Sequence, residues 1–131
     1  MQDTVGLTGL QLAILDVLWE QGEATTQDVW AVLTRSRPLA LTTVATIMSR
    51  LERKEILAHR SEGRQYVYRA TVTRADVRRT KVRELTRHLF GGDPAALMSH
   101  LMHTEGIDPD DLRRRRELPD TSLVRARSGD G

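Results

Sequence analysis

Residues 40–69 constrain the fold most, because two hydrophobic periodicities follow one another directly there. The first part carries apolar residues at the spacing of one face of an α-helix: Val44, Ile47, Met48 and Leu51. Two short runs then flank the turn Ser61-Glu62-Gly63-Arg64. In the second run, residues 65–69, Tyr66 and Tyr68 share one face, as in a half-exposed strand. The pattern predicts a helix followed by a β-hairpin.

The other face of this helix is polar and basic. Residues at spacings of three and four form one row on it: Thr43, Thr46, Arg50 and Arg53. Hydroxyl and guanidinium groups read base edges and bind phosphates. A winged helix-turn-helix places such a helix in the major groove of DNA and its hairpin on the backbone. The hairpin arginines Arg60, Arg64 and Arg69 are then predicted to contact the sugar–phosphate backbone.

The distribution of charge supports this interpretation. The formal net charge is only +2, but residues 1–40 carry two Arg and five acids, a net charge of −3. Residues 41–87 carry twelve Lys or Arg and five acids, net +7, and residues 88–131 six Arg and eight acids, net −2. A basic segment that coincides with the helix and hairpin is typical of a phosphate-binding surface, whereas charge alone equally suits a solvated face.

Capping residues predict three helices in the first domain. The expected caps are Thr8, Thr25 with Asp28 three residues later, and Thr42. Gln21-Gly22 ends the first helix and Ser36-Arg37-Pro38 the second. Trp19 and Trp30 lie on apolar faces and are expected in the core, while Tyr66 and Tyr68 either close that core or face outward. Residues 1–71 thus form a mainly α domain with a small β-hairpin.

Helical patterns resume at Thr73 and are interrupted by Gly91-Gly92, where Asp93-Pro94 opens another helix. Ile107-Asp108-Pro109 opens a third, which ends in the four arginines 113–116. These helices carry more apolar side chains than they can hide: Leu85, Leu89, Phe90, Leu97, Met98, Leu101 and Met102. We expect residues 72–117 to bury them against a second copy of the chain, and residues 118–131 to form a disordered tail.

Other classes of function have little support. No apolar stretch approaches the roughly twenty residues of a membrane span, and no signal sequence is recognisable. Without cysteine, disulfides, zinc thiolates and thiol switches are excluded. His100 and His103, three residues apart, leave a metal site open as an alternative to surface histidines. We expect a cytoplasmic protein with no cofactor and no catalytic site.

The order of several short motifs resembles the penicillinase-repressor family (BlaI/MecI/CopY type). They are Leu7-Thr8, Ile14 to Trp19, Gly22 to Thr25, Leu41 to Val44, Arg50-Leu51, Gly63-Arg64, Tyr66 to Tyr68 and Leu89 to Gly92. The resemblance covers about residues 7–117. It implies a homodimeric transcriptional repressor with an N-terminal winged helix, a C-terminal helical dimerisation region and a palindromic operator. The missing cysteines argue against the copper-responsive branch.

The resemblance also implies which residues and partners act. The DNA-contacting helix of the family falls on Thr42, Thr43, Ala45, Thr46 and Arg50. Many members act beside a membrane metalloprotease sensor, which makes such a sensor the expected source of the inducing signal. The alternative is a winged-helix interaction module that docks on an acidic protein. The exposed row on the helix favours DNA, because protein-docking faces normally present an aromatic or aliphatic anchor.

Overall fold

The computed structural model describes Thr4 and residues 6–116, which form six helices and three strands. The elements are α1 (Gly9–Gln21), β1 (Ala24–Thr25), α2 (Thr26–Leu33), α3 (Leu41–Arg53), β2 (Leu57–Glu62), β3 (Gln65–Ala70), α4 (Arg74–Phe90), α5 (Pro94–Thr104) and α6 (Pro109–Arg116). The predicted class, mainly α with a small β-hairpin, is confirmed. The predicted tail, residues 118–131, lies outside the described residues.

Local capping fixes the ends of α1 and α2 as predicted. The Thr8 hydroxyl accepts a hydrogen bond from the Gln11 backbone N–H (3.3 Å), and the Gln11 side chain accepts one from the Thr8 N–H (2.9 Å). Thr25 and Asp28 form the same reciprocal box at 3.1 Å in both directions. Gly22 ends α1 at φ 85°, a left-handed conformation that favours glycine.

The third helix begins earlier than predicted, and Thr42 does not cap it. Ala40 occupies the N-cap position in an extended conformation, without a side-chain hydrogen bond, and the helix starts at Leu41. A cap must precede the first helical residue, so the hydroxyl of Thr42, inside the first turn, cannot bond the following N–H groups as a cap does. Thr42 is instead exposed beside Thr43.

The hairpin belongs to a three-stranded antiparallel sheet in the order β1-β3-β2. Strand β1 was not predicted, because its two residues are too short to show a period. The hairpin joins Glu62 to Gln65 through Gly63-Arg64, and Gly63 at φ 63° suits the first central position of a two-residue turn. We call β2, β3 and this turn, residues 57–70, the wing.

A single apolar core underlies α1, α2, α3 and the sheet. The predicted stripe of α3 is central to it, since Val44, Met48 and Leu51 have no exposed side-chain surface. Both tryptophans pack against this core and are only partly buried. Their indole N–H groups donate to backbone carbonyls, Trp19 to Val72 (3.0 Å) and Trp30 to Leu39 (2.7 Å).

The chain divides into two compact units, Met1–Glu84 and Leu85–Gly131, so the boundary lies inside α4. The first part of α4 packs with the first unit, although it follows the predicted domain boundary at residue 71. Val77 is buried, and the Lys81 ammonium donates to the Leu7 carbonyl at 2.7 Å.

In the second unit, Gly91 and Gly92 end α4 at φ 59° and 82°, as predicted. Asp93 caps α5 by accepting from the Ala95 N–H (3.0 Å), with Pro94 in the first turn. Helices α5 and α6 contain no buried residue.

Candidate nucleic-acid interface

Helix α3 divides into a buried and an exposed face as its sequence predicts. Opposite the buried stripe, the predicted reading residues are exposed: Thr42, Thr43, Thr46, Arg50 and Arg53. Ala45 is half-buried between the two faces. Leu41, at the first position of the helix, is 43% exposed and is the one exposed large apolar side chain of α3 among the described residues.

The chemistry of this face is that of base and phosphate recognition. Within residues 6–116, the guanidinium groups of Arg50 and Arg53 form no ion pair, and the hydroxyls of the three threonines form no hydrogen bond. Arginine binds guanine or phosphate with two N–H groups, and threonine offers a hydroxyl and a methyl group. These groups are therefore available to a ligand without first breaking contacts in the protein.

Contacts on one face of the wing hold it against the end of α3. His59 on β2 pairs with Glu52 on α3 and stacks on Tyr66, with ring centroids 3.9 Å apart and planes 14° apart. Tyr68 is buried and closes the core, whereas Tyr66 is 52% exposed. Burial raises the pKa of the Tyr68 hydroxyl, with a further contribution from the charge of Glu52. The wing is thus fixed to the C-terminal part of α3.

The opposite face of the wing carries an ionic network around Arg60. Its guanidinium donates to both carboxylate oxygens of Glu23, Nη2 to Oε1 at 2.7 Å and Nε to Oε2 at 3.2 Å. Nη1 also lies 2.7 Å from Glu62 Oε2. The hydrogen bond from Arg60 lowers the pKa of the Glu23 carboxyl, and the same contacts raise the pKa of Arg60. Arg60 is therefore neutralised by its own chain.

Arg64 and Arg69, the other predicted wing contacts, differ from Arg60 in this respect. Arg64 lies in the turn at the tip of the wing, and Arg69 lies on the central strand β3. Both are exposed and form no ion pair with another described residue. Arg69 lies near enough to Glu23 to contribute to its lowered pKa. The free positive charge of the wing thus lies at its tip and along β3.

Two exposed arginines near α3 escaped sequence-based prediction. Arg35 and Arg37 lie in the turn between α2 and α3. Counting charge over residues 1–40 combined them with five acids that all lie at or before Asp28. A shorter window would have found them, because residues 29–51 contain three arginines and no acid.

The predicted dimerisation residues lie in the second unit and are incompletely covered. Leu85 is 41% and Leu89 68% exposed. The others are half-buried: Phe90, Leu97, Met98, Leu101 and Met102. Val82, one turn before Leu85 on the same helix and 51% exposed, was not in the predicted set.

The histidine pair of α5 faces local partners. His103 Nδ1 lies 2.7 Å from the Ser99 carbonyl, and the His100 ring is 5.5 Å from that of Phe90. Within the described part of the chain, no cluster of three or more His, Cys, Asp or Glu residues could hold a metal ion. In the same part, no helix is long and apolar enough to cross a membrane.

Comparison with known proteins identifies relatives along most of the chain. A sequence model of the penicillinase repressor family matches residues 7–120. The transcriptional regulator BlaI of Mycobacterium tuberculosis is 31% identical over 111 residues, covering 83% of this chain and 80% of that protein. The penicillinase repressor of Bacillus licheniformis is 20% identical over 106 residues, covering 81% and 83% respectively.

A solved structure matches the first part of the fold. The solution structure of the DNA-binding domain of the repressor BlaI superposes with a TM-score of 0.52 and 26% identity, covering 58% of this chain and 93% of that domain. This match confirms the predicted winged-helix fold. The chain therefore belongs to the penicillinase repressor family, a family of DNA-binding transcriptional repressors and not of enzymes.

Proposed function

We propose that this chain is a homodimeric repressor that binds a palindromic DNA operator through α3 and the wing. The observation that carries the proposal is the division of α3. Val44, Met48 and Leu51 are fully buried, while its exposed threonines and arginines have no ion pair or side-chain hydrogen bond within residues 6–116. Membership of a family of DNA-binding repressors supports the same function.

Base recognition is assigned to Thr43, Thr46 and Arg50, with Thr42 and Ala45 beside them. The threonines and Arg50 lie on the exposed side of a helix long enough to enter a major groove, and Ala45 is half-buried beside them. Arg53, Arg64 and Arg69 are assigned to the phosphate backbone, because each is exposed and forms no ion pair within residues 6–116. Arg60 is assigned a positioning role, since Glu23 and Glu62 occupy its guanidinium.

Dimerisation is assigned to the second unit. Burying one large apolar side chain stabilises a protein by roughly 1.5–3 kcal/mol of free energy. The second unit leaves several such side chains only partly covered. A self-complementary two-fold interface between copies is the usual way to cover them. Two reading helices related by such an axis would bind half-sites about one helical turn, or a multiple of it, apart.

A dimer of this kind represses by occupying promoter DNA and is released when the interface weakens. Loss of one subunit removes half of the contacts that are held together at high effective concentration. A cut or a ligand in the second unit is therefore sufficient to induce transcription. We propose a membrane metalloprotease sensor as the source of that signal, by analogy with the family.

The alternative, a module that docks on an acidic protein, has one observation in its favour. Leu41 is an exposed aliphatic side chain on α3, and such side chains serve as anchors in protein interfaces. It is one residue in the first turn, whereas the exposed row of α3 consists of hydroxyl and guanidinium groups. A leucine at this position also suits contact with the methyl group of thymine, which is consistent with DNA.

The test begins with selection of genomic fragments on the purified full chain, which yields the operator. Affinity for that operator and for a mixed-sequence duplex is then measured with Arg50→Ala. We expect the specific affinity to fall by about 1–3 kcal/mol more than the non-specific affinity, because a base contact is lost.

Arg79→Ala is the matched control. Arg79 is an exposed arginine on α4 that pairs with Asp76. Its substitution by alanine removes the same unit of positive charge as Arg50→Ala. Equal loss of both affinities in Arg50→Ala would make Arg50 a phosphate contact. Failure to select any DNA, together with capture of an acidic protein, would favour the docking alternative.

A further inference from the structure

The turn between α2 and α3 is held in one shape by its backbone. Its N–H groups donate to the end of α2, from Arg35 to Val32 (3.3 Å) and from Ser36 and Arg37 to Leu33 (3.2 and 3.3 Å). At the other end of the turn, the Leu39 carbonyl accepts the indole N–H of Trp30 (2.7 Å). Both arginines therefore project from an ordered turn, which lowers the entropy lost when they bind a ligand.

The electrostatic surroundings of this turn are unlike those of the ion-paired arginines. Arg35 and Arg37 are exposed and form no ion pair within the described residues. No acid occurs in residues 29–51, the segment that runs from α2 through the turn and along most of α3. By contrast, Arg60 and Arg79 each lie within 3.1 Å of a carboxylate oxygen. The turn thus presents positive charge that forms no ion pair with the described part of the chain.

The position of the turn selects the ligand. It directly precedes α3, whose exposed face carries the proposed reading residues. In a helix-turn-helix, the second helix enters the major groove while the preceding helix crosses the phosphate backbone, so the turn between them passes close to that backbone. A guanidinium on an ordered turn matches the paired oxygens of a phosphate group.

We propose that Arg35 and Arg37 form a phosphate-binding element, the turn arginines, which contacts the DNA backbone separately from the wing. The element rests on the proposed DNA-binding function and adds a second set of backbone contacts to it. The reading helix is then held by phosphate contacts from two parts of the chain, the turn before it and the wing after it.

Salt dependence of binding tests the proposal in the full chain. The variants are Arg35→Gln, Arg37→Gln and the double substitution, with Arg79→Gln as the control of equal charge. Affinity for a mixed-sequence duplex is measured over a range of salt concentrations. Each lost phosphate contact should flatten the slope of log affinity against log salt by about 0.9 per subunit, and the double variant by about twice that.

A conservative variant separates charge from fold. Arg37→Lys keeps the positive charge and should retain most of the slope that Arg37→Gln loses, whereas a damaged fold would lower affinity in both. Phosphate ethylation interference on the selected operator gives a second readout. The turn variants should lose sensitivity at phosphates different from those lost in Arg64→Gln.

The outcomes separate this inference from the proposed function. A wild-type chain without salt-dependent DNA binding would overturn both. If the wild type binds and Arg50→Ala loses specificity, but the turn variants keep the wild-type slope and interference pattern, only the turn arginines are refuted. A slope that falls equally in Arg79→Gln would also refute them, because it would reflect net charge alone.

Discussion

Helices α1 and α5 are similar in length and apolar content but differ in how the chain covers them. In α1, Ile14, Leu15 and Leu18 have at most 1% of their surface exposed. In α5, Leu97, Met98, Leu101 and Met102 are all half-buried, and no residue is buried. Every buried apolar side chain among the described residues lies between Leu7 and Val77. The first unit encloses its own core, whereas the described residues of the second unit leave its apolar side chains partly exposed.

This difference shows what hydrophobic periodicity reports. The spacing of apolar residues identifies which face of a helix avoids water, but not whether the covering surface comes from the same chain or another copy. The first unit is therefore expected to fold as a monomer, and the second to be stabilised by association.

The largest effect should come from removing the second unit by truncation after Glu84. That end retains Val72 and Val77 of the core and the contacts of Lys81, which truncation at Ala70 would remove. We expect a folded monomer whose operator affinity falls by about 10²–10⁴, because the second half-site is no longer bound intramolecularly.

Sedimentation equilibrium and binding to a full and a half operator check this expectation, with the full chain as the control. A truncated chain that remains dimeric, or binds the full operator as tightly as the intact protein, would contradict the assignment of dimerisation to the second unit.

The second test compares one leucine from each unit. Leu51→Ala removes a fully buried side chain and should destabilise the first unit by about 2–5 kcal/mol at any protein concentration. Leu101→Ala should instead lower the melting temperature mainly at low protein concentration, because it weakens association. Thermal unfolding measured over a range of protein concentrations distinguishes the two variants. If the melting temperatures of both variants depend on protein concentration in the same way, the proposed difference between the units is wrong.

The third test concerns arginines within the first unit. Arg64→Gln should flatten the salt dependence of DNA binding by about 0.9 per subunit, because an unpaired arginine is lost from the tip of the wing. Arg60→Gln should flatten it less, since Glu23 and Glu62 already neutralise that charge. If Arg60→Gln flattens the slope as much as Arg64→Gln, Arg60 leaves its carboxylates when DNA binds.

The smallest effect is on the ionisation of Glu23. Its pKa is lowered, first by the hydrogen bond from Arg60, so the folded chain binds fewer protons there than the unfolded chain. The resulting stabilisation is present above the ordinary carboxyl pKa and is lost as pH falls through the lowered value. Arg60→Gln should raise the pKa of Glu23, as measured by NMR titration of the side-chain carboxyl. An unchanged pKa would mean that another cation, such as Arg69, governs it.

The predictable parts of this molecule are those set by neighbouring residues. The caps Thr8 and Thr25 with Asp28 depend on residues three positions away, and both were predicted. The start of α5 at Asp93-Pro94 was predicted as well. The buried and exposed faces of α3 follow from helical spacing alone. Thr42 was wrong as a cap because the preceding segment, after Pro38, brings Ala40 into the cap position.

The parts that escaped prediction depend on contacts distant in sequence. Arg60 on β2 meets Glu23, which directly precedes β1, across 37 residues of sequence, because β1 and β2 are brought into one sheet by pairing with β3. Strand β1 itself is too short to show a pattern and exists through pairing with β3. The three wing arginines therefore look equivalent in sequence, although of these three only Arg60 forms an ion pair with a described residue.

The network of Glu23, Arg60 and Glu62 has a consequence for how the protein finds its target in a genome. A repressor shares its time between one operator and roughly 10⁶–10⁹ competing sites, and every additional phosphate contact strengthens binding to all of them alike. Because the two glutamates pair with Arg60, this arginine does not add a phosphate contact to non-specific DNA. Losing both carboxylates would leave Arg60 as a further unpaired cation of the wing without any new base contact. More of the repressor would then be retained on unrelated DNA, and the operator would be occupied for a smaller fraction of the time.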